Sequence, residues 1–433
     1  MRLDFTRHTL ANGFTILVHE DHRCPIVGVN LWYHVGSKNE RPGRTGFAHL
    51  FEHLMFEGSE HHDRDFFFPL QHAGALLNGS TNADRTNYWE VVPVGALELA
   101  LWLESDRMGY LLPALTEGKF ATQRDVVLNE RRQNYENRPY GLAPMAMLGA
   151  LYPPDHPYHW TTIGEPGDLA AATLDEVSAF FAEFYHPGNA SLTMAGAVKG
   201  DEAIRLAERY FGDIEAGPAA TRPPAAVTPR PARLVYEDRV ELPRVYMAWH
   251  TPAMFAPGDA AFDLAADVIA GGKSSRLYRS LVYERRVATD VSAVQNSREL
   301  SSFFQVAATA APGQALGDLA RTIDEEIARL STDGPRPDEL ERSQAQAEAH
   351  FVYRLQHVGG FGGKSDQLNA YLTFVGDPDY FDRDLARYTE ASPGSVRDAL
   401  AQHLGPVAPV VLSIVPGGRL DLAVPGSEPV RPV

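Results

Sequence analysis

Three residues in one short stretch of this chain could do chemistry together. In Phe47-Ala48-His49-Leu50-Phe51-Glu52-His53-Leu54, His49 and His53 stand four apart. On a helix both imidazoles leave one face about one turn from each other, the spacing at which two rings reach a single ion. Glu52, three after His49, leaves nearly the same face, while Phe47, Leu50, Phe51 and Leu54 cover the rest and would bury it. Zinc held by two neutral imidazoles and a carboxylate keeps one position for water and lowers that water's pKa toward ~7. A free carboxylate beside the water can take its proton during attack on a carbonyl and hand it to a leaving amine, and Glu52 is placed for that role. His-x-x-Glu-His is the inversion of a familiar metallopeptidase signature, although two surface histidines beside an ordinary glutamate would read the same way. With Cys24 as its one cysteine, the chain can form no intrachain disulfide and no Cys-based zinc or redox centre. Any metal must therefore be held by histidine and carboxylates.

The elements around this stretch can be read from pattern. Apolar runs flank Asn12-Gly13, a strong hairpin signal, so Phe5–Leu10 and Phe14–His19 are predicted as paired strands, with a third strand over Ile26–Val35. Helical spacing begins at Thr45 and runs to Phe56. Strands follow at Leu76–Asn82 and Thr86–Val92, then helices at Ala96–Leu112 and Lys119–Asn137, the latter stopped by Arg138-Pro139. Thr173 with Glu176 forms a capping box opening a helix to Tyr185, and a strand Ala190–Ala195 comes after it. His61, His62 and His72 sit in or beside the polar stretch Gly58–Asp65 and read as solvated, and Glu57, Glu117 and Glu136 are rival third ligands with poorer spacing.

At 433 residues the chain exceeds one ordinary core and implies two domains of about 200 residues. The stretch from Ala216 to Ala232 is proline-rich and marks the boundary: residues 1–215 carry the chemistry, 216–232 are a linker, and 233–433 form the second domain. The second part repeats the first. Thr173, Val177 and Pro187 recur as Ser392, Val396 and Pro406 at one offset of 219, each set followed by an apolar strand. A strand at Val245–Thr251 precedes a helix at Phe262, and there His49, Glu52 and His53 map to Leu264, Asp267 and Val268. The second domain is thus expected to hold no metal site. The formal charge of −17 argues against nucleic acid as the main partner. No charge-free apolar run reaches the ~18 residues of a membrane span, and the start lacks the plan of a signal peptide, so a cytoplasmic chain is expected. Gly271-Gly272-Lys273-Ser274 and Gly362-Gly363-Lys364-Ser365 lack the first glycine of a phosphate loop.

The run Gly46-Phe47-Ala48-His49-Leu50-Phe51-Glu52-His53-Leu54-Met55-Phe56-Glu57-Gly58-Ser59 resembles the zinc helix of the pitrilysin family, which includes insulin-degrading enzyme and the mitochondrial processing peptidase. That family takes a third ligand from a Glu 77 positions after the second histidine, which here is Glu130 in Val126-Val127-Leu128-Asn129-Glu130. Further matches include Leu77-Asn78-Gly79-Ser80-Thr81, Thr86-Asn87-Tyr88, Tyr185-His186-Pro187-Gly188-Asn189 and Ser274-Ser275-Arg276-Leu277-Tyr278. The resemblance implies an α+β fold of two homologous domains, each a largely antiparallel sheet packed with helices on one side, of the LuxS and processing-peptidase type. It implies one zinc ion per chain bound by His49, His53 and Glu130, with Glu52 as general base. It makes Asn78 an active-site residue and Gly79, Ser80 and Thr81 part of an edge strand to which a peptide adds. A bacterial zinc endopeptidase subunit acting on short or unfolded peptides follows.

Two departures qualify this expectation. Where the family often has a second supporting Glu, this chain has Gln123, and where it has an Arg and a Tyr that hold the substrate carbonyl, a gap-free alignment gives Leu281 and Ala288. Losing oxyanion donors costs about 100- to 1000-fold, so a homologous, metal-free partner subunit supplying Arg and Tyr is expected. The rival readings are a non-catalytic scaffold subunit and a dedicated peptide-maturation protease.

Overall fold

A computed structural model of the chain describes residues 3–431 apart from 222, 224–226 and 406. The chain packs as two compact units, each drawn from three stretches: Met1–Glu130, Trp160–Pro223 and Phe351–Asp382 in the first, Arg131–His159, Pro224–His350 and Arg383–Val433 in the second. One of the five passages between the units, at 223/224, lies within the 216–232 stretch. The exchange of 131–159 and 351–382 is a feature that contiguous boundaries do not contain, and four linker positions lie outside the described residues.

In the first unit β1 (Thr6–Thr9), β2 (Thr15–Glu20), β3 (Ile26–Tyr33), β4 (Leu76–Thr81), β5 (Thr86–Pro93) and β6 (Ala190–Gly196) form one sheet in the order β1-β2-β6-β3-β5-β4. Only the β2–β6 pairing is parallel. The Asn12-Gly13 turn closes the first hairpin as expected, with Gly13 at φ 85° and the Leu10 amide donating to Phe14 O at 2.9 Å. Alternation along β3 sorts the faces. Val27, Val29, Leu31 and Tyr33 point to a core shared with Phe51, Phe181 and Tyr185, which the helices Phe47–Leu54 and Leu174–Phe184 bring in.

The other face of the sheet is covered too. Asn30, Trp32 and Asn87 donate to Asp366 Oδ1 at 3.2, 2.9 and 3.2 Å, and Ser191 and Thr193 donate to Asn369 Oδ1. The Lys364–Val375 helix therefore lies on a buried polar layer, in addition to the helices of the apolar face. Gly28 permits this approach, because a Cβ there would stand 2.7 Å from Gly359 Cα. Sequence pattern does not reveal this layer, since its partners lie more than 170 residues apart.

The second unit repeats the plan with β7 (Ala232–Asp238), β8 (Arg244–Thr251), β9 (Ala288–Asn296), β10 (Ser302–Ala310), β11 (Val410–Pro416) and β12 (Glu428–Pro429) in the order β12-β7-β11-β8-β10-β9. β7 runs parallel to β11, and β11-β8-β10-β9 are successively antiparallel, which reproduces β2, β6, β3, β5 and β4. The capping boxes at Thr173/Glu176 and Ser392/Ser395 open matching helices, while Pro406 lies outside the described residues. Duplication of an α+β unit accounts for both sheets. Among the described residues no helix is long and apolar enough to cross a membrane.

Candidate metal centre

The Phe47–Leu54 helix buries Phe47, Ala48, Leu50, Phe51 and Leu54 and turns His49, Glu52 and His53 the other way. Its N-terminus has no cap of its own, because Gly46 at φ 88° carries no side chain. Glu40 supplies one: its carboxylate accepts the Gly46 N–H and the Ala48 N–H, both at 2.9 Å. Burial pushes the Glu40 carboxyl up to about 8, against those two backbone bonds. At the other end, Arg107 Nη1 donates to Met55 O at 3.5 Å while its guanidinium pairs with Glu104 and stacks on Phe66 and Tyr88.

The Glu117–Arg131 helix carries Glu130. The helix expected over Lys119–Asn137 is α-helical to Arg131 and π-helical over Arg132–Glu136, and the first stretch of the first unit ends at Glu130. Glu130 Oε2 lies 3.6 Å from His49 Nε2 and 3.4 Å from His53 Nε2. Ligand atoms of the three residues all fall within 4.8 Å of one another. Two ligand atoms held about 2.1 Å from a tetrahedral ion stand about 3.4 Å apart, so the set fits a zinc-sized cation. Burial first, and then the neighbouring His53, push the His49 imidazole down to about 4, with Glu130 pulling the other way. His49 is therefore neutral near pH 7, the form that binds metal. Its Nδ1 is buried without a hydrogen-bond partner among the described residues.

Glu52 lies on the same helix face. Its carboxyl is raised by burial, with Thr81, His53 and Arg85 opposing and Glu130 adding to the rise. Gln123 does not touch the cluster through its amide: Nε2 donates to Glu57 Oε1 at 2.7 Å. Gln123 thus ties Glu57, which lies four residues after His53 and past the helix end at Leu54. Glu57, Glu117 and Glu136 stay out of the ligand cluster, as do His61, His62 and His72. His61 Nδ1 is instead 2.5 Å from Asp106 Oδ1.

β4 is the sheet edge beside this helix. Asn82 N–H bonds Arg85 O at 3.0 Å to close the β4–β5 turn, and alternation then sends the backbone groups of Leu77, Gly79 and Thr81 away from β5. The Gly79 N–H is covered by Asn78 Oδ1 at 2.8 Å. A side chain at Gly79 would meet Tyr88 and Phe56 at 3.0 and 3.1 Å. Ser80 is locked by Arg85, whose Nη1 donates to Ser80 O at 2.8 Å. Asn78, Gly79, Ser80 and Thr81 therefore form one open strand, with Thr81 reaching Glu52. Glu40, Arg85 and Arg107 carry no signal in the sequence, and the Asp84-Arg85-Thr86 run offers no spacing that marks a half-buried arginine.

In the second unit the matching positions Leu264 and Val268 are buried in the apolar core. Asp267 has its carboxyl raised by burial and stands 3.9 Å from Arg342 Nε. Leu281 and Ala288 are core residues as well. Among the described residues the second unit holds no second ligand cluster.

The chain matches known proteins over most of its length. Residues 15–152 match the family profile described as Insulinase (Peptidase family M16), and residues 171–347 match the one described as Peptidase M16 inactive domain. The zinc protease PqqE of Helicobacter pylori is 28% identical over 362 residues, covering 82% of this chain and 81% of its own. The uncharacterized zinc protease YmxG of Bacillus subtilis is 25% identical over 355 residues, covering 81% and 84%. A solved protease from Helicobacter pylori superposes with a TM-score of 0.88 at 24% identity, over 96% of this chain and 100% of that one. A solved peptidase M16 inactive domain from Pseudomonas fluorescens gives 0.85 at 19%, over 96% and 98%, which supports the fold.

Proposed function

Since the chain belongs to the M16 peptidase family, that of insulinase and pitrilysin, we propose that it is a zinc-dependent endopeptidase subunit cleaving short or unfolded peptides. The observation that carries the reading is the approach of His49 and His53 to Glu130 at 3.6 and 3.4 Å with Glu52 on the same helix face. In this reading His49, His53 and Glu130 hold one zinc ion. Bound zinc supplies Lewis acidity, polarising a carbonyl and lowering the pKa of water. Glu52 takes the proton of the attacking water at its carboxylate and delivers it to the leaving amine, work worth about 100- to 10,000-fold. The peptide lies along β4 as an added strand, pairing with Leu77, Gly79 and Thr81 through main-chain bonds that are common to all peptides. For that, the Asn78 side chain must release the Gly79 N–H.

The buried apolar pair Leu281 and Ala288 favours a partner-dependent form of this activity. A homologous, metal-free chain would bring the carbonyl-holding Arg and Tyr. A quenched fluorescent peptide assayed with and without chelator, and with and without such a chain, tests both parts. Chelator-insensitive cleavage would remove the zinc mechanism, and a rate that no homologous chain improves would remove the partner.

A further inference from the structure

A cavity of about 410 Å³ opens in the second unit, between the sheet face that carries Arg244, Tyr246, Phe303 and Gln305 and the segment 134–148. Its lining includes three arginines, Arg138, Arg244 and Arg298, and no Asp or Glu among the described residues, in a chain whose formal charge is −17. A cationic pocket on so acidic a chain is a local choice of side chains and not a consequence of composition.

The arginines are held without being neutralised. Arg244 Nε donates to Thr309 Oγ1 at 2.8 Å and Nη1 to the Tyr246 hydroxyl at 3.4 Å, and its guanidinium lies 3.9 Å from the Tyr140 ring centre. Arg298 sits over the Tyr158 and Phe303 rings at 5.1 and 5.2 Å. Among the described residues no carboxylate lines the cavity beside either arginine. Aromatic faces and two hydroxyls fix the two guanidinium planes while leaving further donors unspent. Tyr140 is itself fixed at a cost: φ is 61°, rare for a bulky residue, with its N–H bonded to Asp238 Oδ2 at 2.9 Å and its hydroxyl to Leu242 O at 2.8 Å. Strain that persists at a pocket wall is the kind kept for holding a ligand.

We propose that this cavity binds the C-terminal carboxylate of a peptide through Arg244 and Arg298. Guanidinium forks match carboxylates in a planar, bidentate way. Asn296 and Gln305 offer amide groups for peptide backbone, and Met147 with Phe303 gives an apolar wall for the adjoining side chain. The choice of a peptide as the bearer of that carboxylate rests on the peptidase reading above.

The test reads binding, not hydrolysis, so its failure is separate from failure of the catalytic reading. The full chain with Glu52→Gln is titrated with two fluorescent peptides of one sequence, ending in a free carboxylate or an amide. The free acid is expected to bind at least about tenfold more tightly. Arg298→Gln and Arg244→Gln should each erase that preference, and Arg298→Lys, which keeps the charge, should retain part of it. Millimolar inorganic phosphate should not displace the peptide. Equal binding of acid and amide by the Glu52→Gln chain overturns the proposal without recourse to any variant that folds poorly. Displacement by micromolar phosphate overturns the peptide assignment.

Discussion

The two units build the same sheet and then part at one helix. Phe47–Leu54 follows β3, and Asp259–Ala270 follows the matching β8. In the first, His49, Glu52 and His53 face the Glu117–Arg131 helix across a cluster of ligand-sized spacing; in the second, Leu264 and Val268 fill the core and Asp267 faces Arg342. The scaffold is indifferent to the chemistry, because sheet order and strand direction survive the loss of both histidines. What the site demands beyond scaffold is a helix end secured by Glu40 and a third ligand on another helix.

Breaking the first unit's cluster should have the largest effect. Glu130→Ala or His53→Ala should reduce bound zinc from about one ion per chain to near zero, read by metal analysis, and abolish cleavage. Asp267→Asn, at the position matching Glu52, should leave zinc content unchanged. Equal zinc loss from the Asp267 variant would end the contrast between units.

Stability comes next. Glu40→Ala leaves the Gly46 and Ala48 amides buried without an acceptor and should cost about 2–4 kcal/mol in denaturant unfolding. Glu40→Gln keeps one acceptor and should cost less. The pH dependence of the metal-free chain has a definite sign for His49. Its imidazole is depressed to about 4, so stability is present above the ordinary value near 6.5 and is lost as pH falls toward 4. Glu40, raised to about 8, contributes with the opposite sign over the same window. The His49 part is therefore read as the difference in unfolding free energy between the metal-free parent and its His49→Gln variant, and a difference that does not shrink as pH falls from 6.5 to 4 would contradict the buried, neutral His49. Burial raises the Glu52 carboxyl, so cleavage that depends on its ionised form should fall on acidification earlier than for an ordinary glutamate.

The smallest effect is expected at Gln123. Gln123→Glu sets a second carboxylate against Glu57, where the amide now donates at 2.7 Å, and like charges at that distance push one carboxyl toward its protonated form. Cleavage should change by less than about tenfold, the lower bound of effects from groups that orient ligands. A complete loss would mean that Gln123 does more than tie Glu57.

Much of this was legible because it is local. The i, i+4 histidines, the Asn12-Gly13 turn and the Thr173/Glu176 box each declare themselves within a few residues. Glu130 emerged from spacing within a family resemblance and lies where the two histidines point. Illegible were the contacts whose partners are distant in sequence and ordinary in type: Arg107 on Met55, Asp366 under β3 and β5, and the exchange of 131–159 and 351–382 between units. Glu40 is close in sequence yet equally hidden, because a carboxylate that caps from outside the helix has no fixed offset.

The most direct test of the central proposal is hydrolysis of a quenched fluorescent peptide by the zinc-loaded chain and its Glu52→Gln variant, each co-expressed with a homologous metal-free chain. The account predicts chelator-sensitive cleavage by the first and a loss of at least about 100-fold in the second at unchanged zinc content. Cleavage by the variant at the rate of the parent chain would contradict it.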